Sequence, residues 1–453
     1  MKISSSFLTR TGLIAAFALA VVLARPSVAD APPQSPMFKF DFGTGPAAPG
    51  TIKVTPDTQY SPEKGYGFEP GAKLTALAHG GPDALRGDLI TSHTPFLFSV
   101  ALPEGNYRVT LTLGDAQGES QTTVKAESRR LMLQDVKTAR GEFATRTFTV
   151  NIRNASLKSG HSVVLKEREK GVLHWDDKLT LEFNGARPSI AALEIAPAPD
   201  AVTVYLAGDS TVTDQTNEPY AGWGQMLPRF FGRQVAVANH AESGETLRSS
   251  LAARRLEKIL DTLKRGDYLF IQFGHNDQKE KGEGVGAFTT YSDSLRQWVK
   301  AARECGATPV LLTSMQRRRF GADGKVEQTL GDFPEAVRRV ARELSVPLID
   351  LNAASTTFYE ALGPDASKSA FVHYPANTFP GQTATLRDDT HPNAYGAFQL
   401  ARVVVDGIKR DLPDLAKHLT EDAATYDPAH PDVIDTWNWP ASPVFSVQKP
   451  DGD

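Results

Sequence analysis

Ser210, Asp388 and His391 are the residues whose types can carry covalent chemistry together. Ser210 follows the apolar run Val204-Tyr205-Leu206-Ala207 in a tight Gly208-Asp209-Ser210-Thr211 turn. A serine hydroxyl is a weak nucleophile until a base takes its proton. His391 can be that base, and Asp388 can orient its imidazole and stabilise the imidazolium. The backbone N–H groups of Ser210 and Gly244, with the side-chain amide of Asn276, can donate to a developing oxyanion. Each such donor is typically worth about 3–4 kcal/mol of barrier. Glycine at 244 lets the backbone approach closely. The bland alternative is that Ser210 or Asp209 caps a helix. A capping serine, however, does not require the other polar clusters.

These residues need a scaffold that brings them to one place. Between 201 and 411, strand-like VTVYLA, VAVAN, YLFIQF, PVLLTSM and VPLIDL alternate with amphipathic stretches. Helices are predicted over 247–263, 288–302, 333–344 and 394–408. Such alternation implies a parallel sheet covered on both faces. Five strands fit a three-layer α/β/α domain, with its site at the carboxyl ends of the strands. The first strand delivers Gly208 to Thr211, the second Asn239 to Gly244, and the third Gly274 to Asp277. A final loop before a helix delivers Asp388-Asp389-Thr390-His391-Pro392-Asn393. Residues 31–199 read differently. Short alternating runs such as FLFSVAL, YRVTLTLGD and KLTLEFNG, split by turn residues, predict a β-sandwich. Ala196 to Asp200 reads as the linker. The Pro- and Asp-rich stretch after Leu412 reads as an irregular wrap.

At 453 residues, two domains are expected. With 40% hydrophobic and 23% charged residues, the chain has a globular composition. Lys2 and Arg10 precede the apolar run 13–23, and Ser27-Val28-Ala29 fits a small-x-small cleavage site. This predicts an export signal over 1–29, and hence a secreted or periplasmic protein. The run is short for a membrane anchor. Cleavage removes three of the 49 basic residues and none of the 53 acids, leaving 46 − 53 = −7. An acidic exported protein is a poor nucleic-acid binder. The single cysteine, Cys305, excludes an intrachain disulfide and is expected to be a buried small residue.

The motifs together resemble the SGNH (GDSL-type) hydrolases. Gly208-Asp209-Ser210, Gly244, Gly274-x-Asn276-Asp277 and Asp388-x-x-His391 match the four blocks of that superfamily in order. The resemblance implies a nucleophile at Ser210, an oxyanion hole at Ser210, Gly244 and Asn276, and Asp388 and His391 from the last block. Gly208-x-Ser210-x-Val212 lacks the second glycine of a GxSxG elbow, against the other large α/β hydrolase class. Within the superfamily, GDSTV, AGWGQMLPRFF, NHAESGETLRS, FGHNDQK and DDTHPNAYGA are most similar to rhamnogalacturonan acetylesterases. FDFGTG and GYGFEP resemble the galactose-binding-like sandwich of bacterial members. The implied layout is a signal at 1–29, a sandwich at 30–199, an SGNH domain at 200–415 and a wrap at 416–453. The implied activity is removal of acetyl groups from pectic polysaccharide, with no metal or cofactor; no nucleic-acid partner is expected, nor a membrane partner after signal cleavage, and the sequence leaves the oligomeric state open, with a monomer expected. One departure is AESGE in the second block, where many members carry an Ala-x-Gly-Arg-Ser type sequence.

Four residues are expected to touch substrate: Trp223, His275, Arg317 and Tyr374. Gln316 to Arg319 leaves the fourth strand at its carboxyl end, and a guanidinium there can pair bidentately with a galacturonate carboxylate. Phe371, Trp437 and Trp439 offer further aromatic faces, and Trp175-Asp176-Asp177 is a polar-aromatic cluster on the sandwich. His275, Asp277, Asp388 and His391 lack the spacing of a metal site. Alternatives to a pectin deacetylase are a xylan deacetylase, a short-chain lipase or thioesterase, and a glycan-binding protein with an inactive hydrolase domain.

Overall fold

Alternating apolar residues between turn-rich breaks build the first half of the chain into sheets. The computed structural model describes Met1 and residues 38–451. The expected export signal, and the first residues of the expected sandwich, lie outside the described residues. One five-stranded sheet runs in the order Phe143–Ile152, Gly105–Gly114, Ala192–Pro197, Phe38–Phe42 and Ile52–Val54. The second runs Tyr66–Phe68, Phe96–Ala101, Lys178–Arg187, Ser120–Ala126 and Arg130–Thr138. Phenylalanines fill the space between them: Phe96 stacks on Phe183 at 5.0 Å and Phe42 meets Phe98 edge-on at 5.1 Å. Rings bury large apolar areas and favour these offset and edge geometries.

The second half forms a five-stranded sheet whose neighbours all pair in parallel. In space the order is Val235–Asn239, Val202–Gly208, Tyr268–Gln272, Thr308–Leu312 and Leu348–Ile349. Successive side chains point to opposite faces. Val204, Leu206, Phe270, Val310 and Leu312 face helix Ala394–Asp411. Tyr205, Ala207, Leu269, Ile271 and Leu311 face helices Ser292–Glu304 and Phe333–Leu344. Both faces are covered, so the domain has three layers, and the polar clusters leave at the carboxyl edge. From residue 38 onward the described residues form one compact unit.

Several local expectations are corrected. The helix predicted over 247–263 is two, Leu247–Ala252 and Arg255–Thr262, split where Arg254 turns left-handed at φ 62°. The second amphipathic stretch begins as a wide turn and is α-helical over Ser292–Glu304. An unexpected helix covers Leu351–Ala366. The supposed loop bearing Asp388 and His391 is a strand, Leu386–Pro392, paired antiparallel with Phe371–Tyr374. Ala196 and Pro197 are still in a sandwich strand, and Ala198 is buried and bonded to Asn106, so the linker has no slack. Cys305 is half-buried.

Helix Ala394–Asp411 starts where His391 must be held. Asn393 caps it by accepting the Gly396 N–H at 3.1 Å, and its amide donates to the Ser369 and Phe371 carbonyls. A Cβ on Gly396 would lie 1.9 Å from the Ala370 carbonyl oxygen. Gly396→Ala should therefore cost about 1–3 kcal/mol of stability, the usual cost of overpacking. Gly232→Ala, where the nearest atom is 3.4 Å away, is the control. Denaturant melts of the two would read this, and equal midpoints would refute it.

Candidate active site

The first strand ends at Gly208, where a Cβ would lie 2.5 Å from Val212 Cγ2 and 2.7 Å from the Gln272 carbonyl oxygen, so glycine is required. The chain then turns, and the Asp209 carboxylate fixes the turn. It accepts from the Thr211 N–H at 3.0 Å and the Thr211 hydroxyl at 2.8 Å, and meets His275 Nδ1 at 3.2 Å. Burial alone would raise the Asp209 carboxyl. The His275 imidazole and the Thr211 donors outweigh it and hold the group below its ordinary 3.8.

Ser210, placed by this turn, meets the last strand. His391 Nε2 lies 2.8 Å from Ser210 Oγ, and His391 Nδ1 lies 2.8 Å from Asp388 Oδ2. The other Asp388 oxygen accepts the Thr390 and His391 N–H groups at 2.8 and 2.9 Å. Burial pushes the Asp388 carboxyl up, but the His391 ring and these donors win and keep it below 3.8. The carboxylate is thus ionised at neutral pH and can stabilise an imidazolium. Asp389 points elsewhere, to Arg318 and His373. Ser210, His391 and Asp388 are 0%, 1% and 2% exposed, so charge forming here forms in a low dielectric.

The second and third clusters flank the serine. Gly244 sits at φ +77°, a left-handed value that favours glycine. Among the described residues, the N–H groups of Ser210 and Gly244 have no hydrogen-bond partner. Asn276 donates one amide hydrogen to the Glu245 carbonyl at 3.0 Å, which ties the third cluster to the second. An amide carries two such hydrogens, and one remains for another acceptor. Gln215 holds the Ser210 carbonyl at 2.8 Å, and Tyr220 meets the His391 ring edge-on at 6.1 Å. A cavity of about 130 Å³ adjoins this cluster through Gln215, Tyr220, Glu242 and Ser243. The arrangement can activate a hydroxyl, hold an anion and relay one proton, which is the chemistry of acyl transfer.

The four expected substrate contacts fare differently. Trp223 is a core residue, fully buried with its indole N–H on Gln272 Oε1 at 2.7 Å. His275 is also buried and serves Asp209 rather than a ligand. Burial keeps its imidazole below 6.5 despite that carboxylate. Tyr374 is half-buried against Phe379 and accepts from Asn393, in a separate cavity from the one beside Ser243. Arg317 stays a candidate. It is half-buried, touches the His275 carbonyl at 3.4 Å and pairs with no carboxylate among the described residues. Its neighbours Arg318 and Arg319 are paired with Asp389 and Glu327. Phe371 is core, Trp437 and Trp439 are half-buried, and Trp175 is buried under Arg153 and donates to Glu169.

Sequence reasoning missed Gln215, Tyr220, Lys166 and Arg168, the last two of which hold the Ser243 carbonyl. Gln215 and Tyr220 lie close after Ser210, so block proximity was the available signal. Lys166 and Arg168 lie in KEREKG, a charge run that reads as a solvated surface.

Asp277 is a further buried carboxyl beside Asn276. One oxygen accepts the Leu247 N–H at 2.9 Å, while the other has no partner among the described residues. Burial pushes this carboxyl up from 3.8 to about 8. A raised value means that the folded state holds a proton the unfolded chain releases. Folding therefore loses stability as pH rises from 3.8 to about 8. Asp277→Asn keeps an acceptor and carries no charge. Its melting temperature relative to the parent should climb over that range and then level off. A flat or falling difference in pH-resolved thermal melts would contradict this.

The profile of the GDSL-like Lipase/Acylhydrolase family matches residues 206–397. That of the Beta-agarase/YXIM esterase-like, galactose-binding domain-like family matches residues 38–167. Rhamnogalacturonan acetylesterase RhgT of Bacillus subtilis (strain 168) is 43% identical over 220 residues, 48% of this chain and 94% of RhgT. Uncharacterized esterase YxiM of the same organism is 28% identical over 383 residues, covering 83% of this chain and 91% of YxiM. Probable rhamnogalacturonan acetylesterase YesY, again from that strain, is 36% identical over 226 residues, 48% of this chain and 95% of YesY.

Proposed function

We propose that this chain, which belongs to the GDSL-like lipase/acylhydrolase family and is a serine ester hydrolase, removes acetyl groups from rhamnogalacturonan outside the cytoplasm. The observation that carries the substrate is the 43% identity to a protein named rhamnogalacturonan acetylesterase. The chemistry is supported by the Ser210–His391–Asp388 chain at 2.8 Å per step. Export rests on the pattern of residues 1–29.

In this reading Ser210 Oγ attacks the acetyl carbonyl carbon as His391 Nε2 takes its proton. The carbonyl oxygen becomes an oxyanion, held by the N–H groups of Ser210 and Gly244 and by the Asn276 amide. The intermediate collapses, the C–O bond to the sugar breaks, and His391 returns the proton to the departing hydroxyl. Water then attacks acetyl-Ser210 with His391 again as base, and acetate leaves. Arg317 supplies the cation for a galacturonate carboxylate. The polar cavity beside Ser243 counts against a long-chain acyl substrate.

Acetate release from acetylated rhamnogalacturonan, acetylated xylan and acetylated homogalacturonan tests the whole. Release should be greatest from rhamnogalacturonan and vanish in Ser210→Ala. Xylan as the best substrate would overturn the pectin assignment and leave the esterase. Asp388→Asn should lower kcat by about 10³–10⁴-fold, because the imidazole loses its orienting carboxylate. Arg317→Gln should raise KM for rhamnogalacturonan about ten-fold, the scale of one charge-assisted hydrogen bond. Its KM for acetylated xylan should be unchanged, and equal effects on both would remove Arg317 from recognition. Export predicts a mature N-terminus at Asp30, readable by sequencing protein from the periplasm or medium.

A further inference from the structure

After strand Phe143–Ile152 the chain leaves the sandwich and sets two cations on one carbonyl. Lys166 Nζ donates to the Ser243 carbonyl oxygen at 2.6 Å, and Arg168 Nη2 donates to the same oxygen at 2.5 Å. That carbonyl belongs to the Ser243–Gly244 peptide, whose N–H is the Gly244 oxyanion donor. The peptide is trans. In a trans peptide the C=O and N–H point in opposite directions from one rigid plane. Pulling the oxygen one way therefore aims the N–H the other way. Charged donors make bonds about twice as strong as neutral ones. Hydrogen bonds chained through one amide also polarise one another.

The surroundings hold both cations in place. Glu245 meets Lys166 at 2.8 Å and Glu242 meets Arg168 Nε at 2.8 Å. Asp451 also pairs with Arg168. Arg255 lies 3.9 Å from Glu245 and 2.6 Å from Glu169. Glu242, Ser243 and Glu245 are buried. The left-handed φ of Gly244 gives this loop no regular ladder to rest on, so contacts must set its orientation.

We propose that Lys166 and Arg168 are positioning residues for ester hydrolysis. They pin and polarise the Ser243–Gly244 peptide so that the Gly244 N–H meets the oxyanion. The inference rests on the reading of Ser210 as nucleophile and Gly244 as oxyanion donor. It makes the segment behind the sandwich part of the catalytic apparatus, with both side chains acting through that peptide.

The full chain is tested with Lys166→Gln, Arg168→Gln and Lys166→Arg on 4-nitrophenyl acetate, beside Ser210→Ala. A second readout is the affinity for a short trifluoromethyl ketone, whose Ser210 hemiketal places an oxygen anion in the hole. Each Gln variant should lower kcat about ten-fold, a fraction of the loss of a whole oxyanion donor. KM should stay within about two-fold, since the ground-state ester carries little charge there. Ketone affinity should fall by the same factor as kcat/KM, and Lys166→Arg should restore both. Unchanged kcat in both Gln variants would overturn the inference, as would a loss confined to KM. So would a fall in kcat without a fall in ketone affinity, since that is what a merely loosened structure gives. Activity surviving in Ser210→Ala would sink the nucleophile reading itself, a separate failure.

Discussion

The contact between His391 Nε2 and Ser210 Oγ spans 181 positions of sequence, and most of the hydrolase domain is organised around it. Ser210 hangs from the first strand of the sheet. His391 comes from a two-stranded ribbon outside that sheet. Neither element touches the other through its regular hydrogen bonds, so packing must set the distance. Gly208 lets the first strand lie close to the third, and Asp209 locks the turn. Asn393 and Gly396 let the last helix start against the Ala370 carbonyl. A misplacement of about 1 Å between reacting groups can cost about 10²-fold in rate. The close glycine contacts therefore act on function through geometry as much as on stability.

A second constraint runs across the two halves. Arg129 pairs with Glu218 at 2.5 Å, Arg130 with Asp214 at 2.6 Å and Arg255 with Glu169 at 2.6 Å, all buried. Buried pairs add little net stability but are costly to break singly. They register the halves more than they glue them. The register reaches the nucleophile: Arg129 donates to the Gln215 carbonyl at 3.0 Å, and the Gln215 amide holds the Ser210 carbonyl. Trp175, an attractive sugar platform in sequence, is spent on this interface.

The parts of the site legible in sequence were those written in backbone terms. The turn at Gly208, the left-handed Gly244 and the five apolar strands each leave a local pattern. Side chains outside the motif blocks that act across the fold, such as Lys166 and Arg168, leave none. His275 sits inside a motif block and Trp223 in a stretch similar to the family, yet one braces Asp209 and the other fills the core. Being in a block told of proximity to the site and not of exposure to it. The strand at 386–392 was hidden because LRDDTHP has charged and turn-forming residues where a strand usually has β-branched ones; its pairing partner 371–374 supplies the order. Helix 247–263 read as continuous because its apolar residues keep a helical spacing through Arg254. The backbone reverses there without disturbing that spacing.

Glu245, the departure in the second block, acquires a reason from these contacts. A buried carboxylate is costly unless paired. Glu245 is paired with Lys166, and Glu242 in the same loop with Arg168. Both cations come from the segment between sandwich strands Phe143–Ile152 and Lys178–Arg187. Here the loop carries two buried acids, faced by Lys166 and Arg168 and, 3.9 Å from Glu245, by Arg255. The acids of this block and the cations of that segment are two sides of one electrostatic arrangement. Replacing either alone would strand charge next to Gly244.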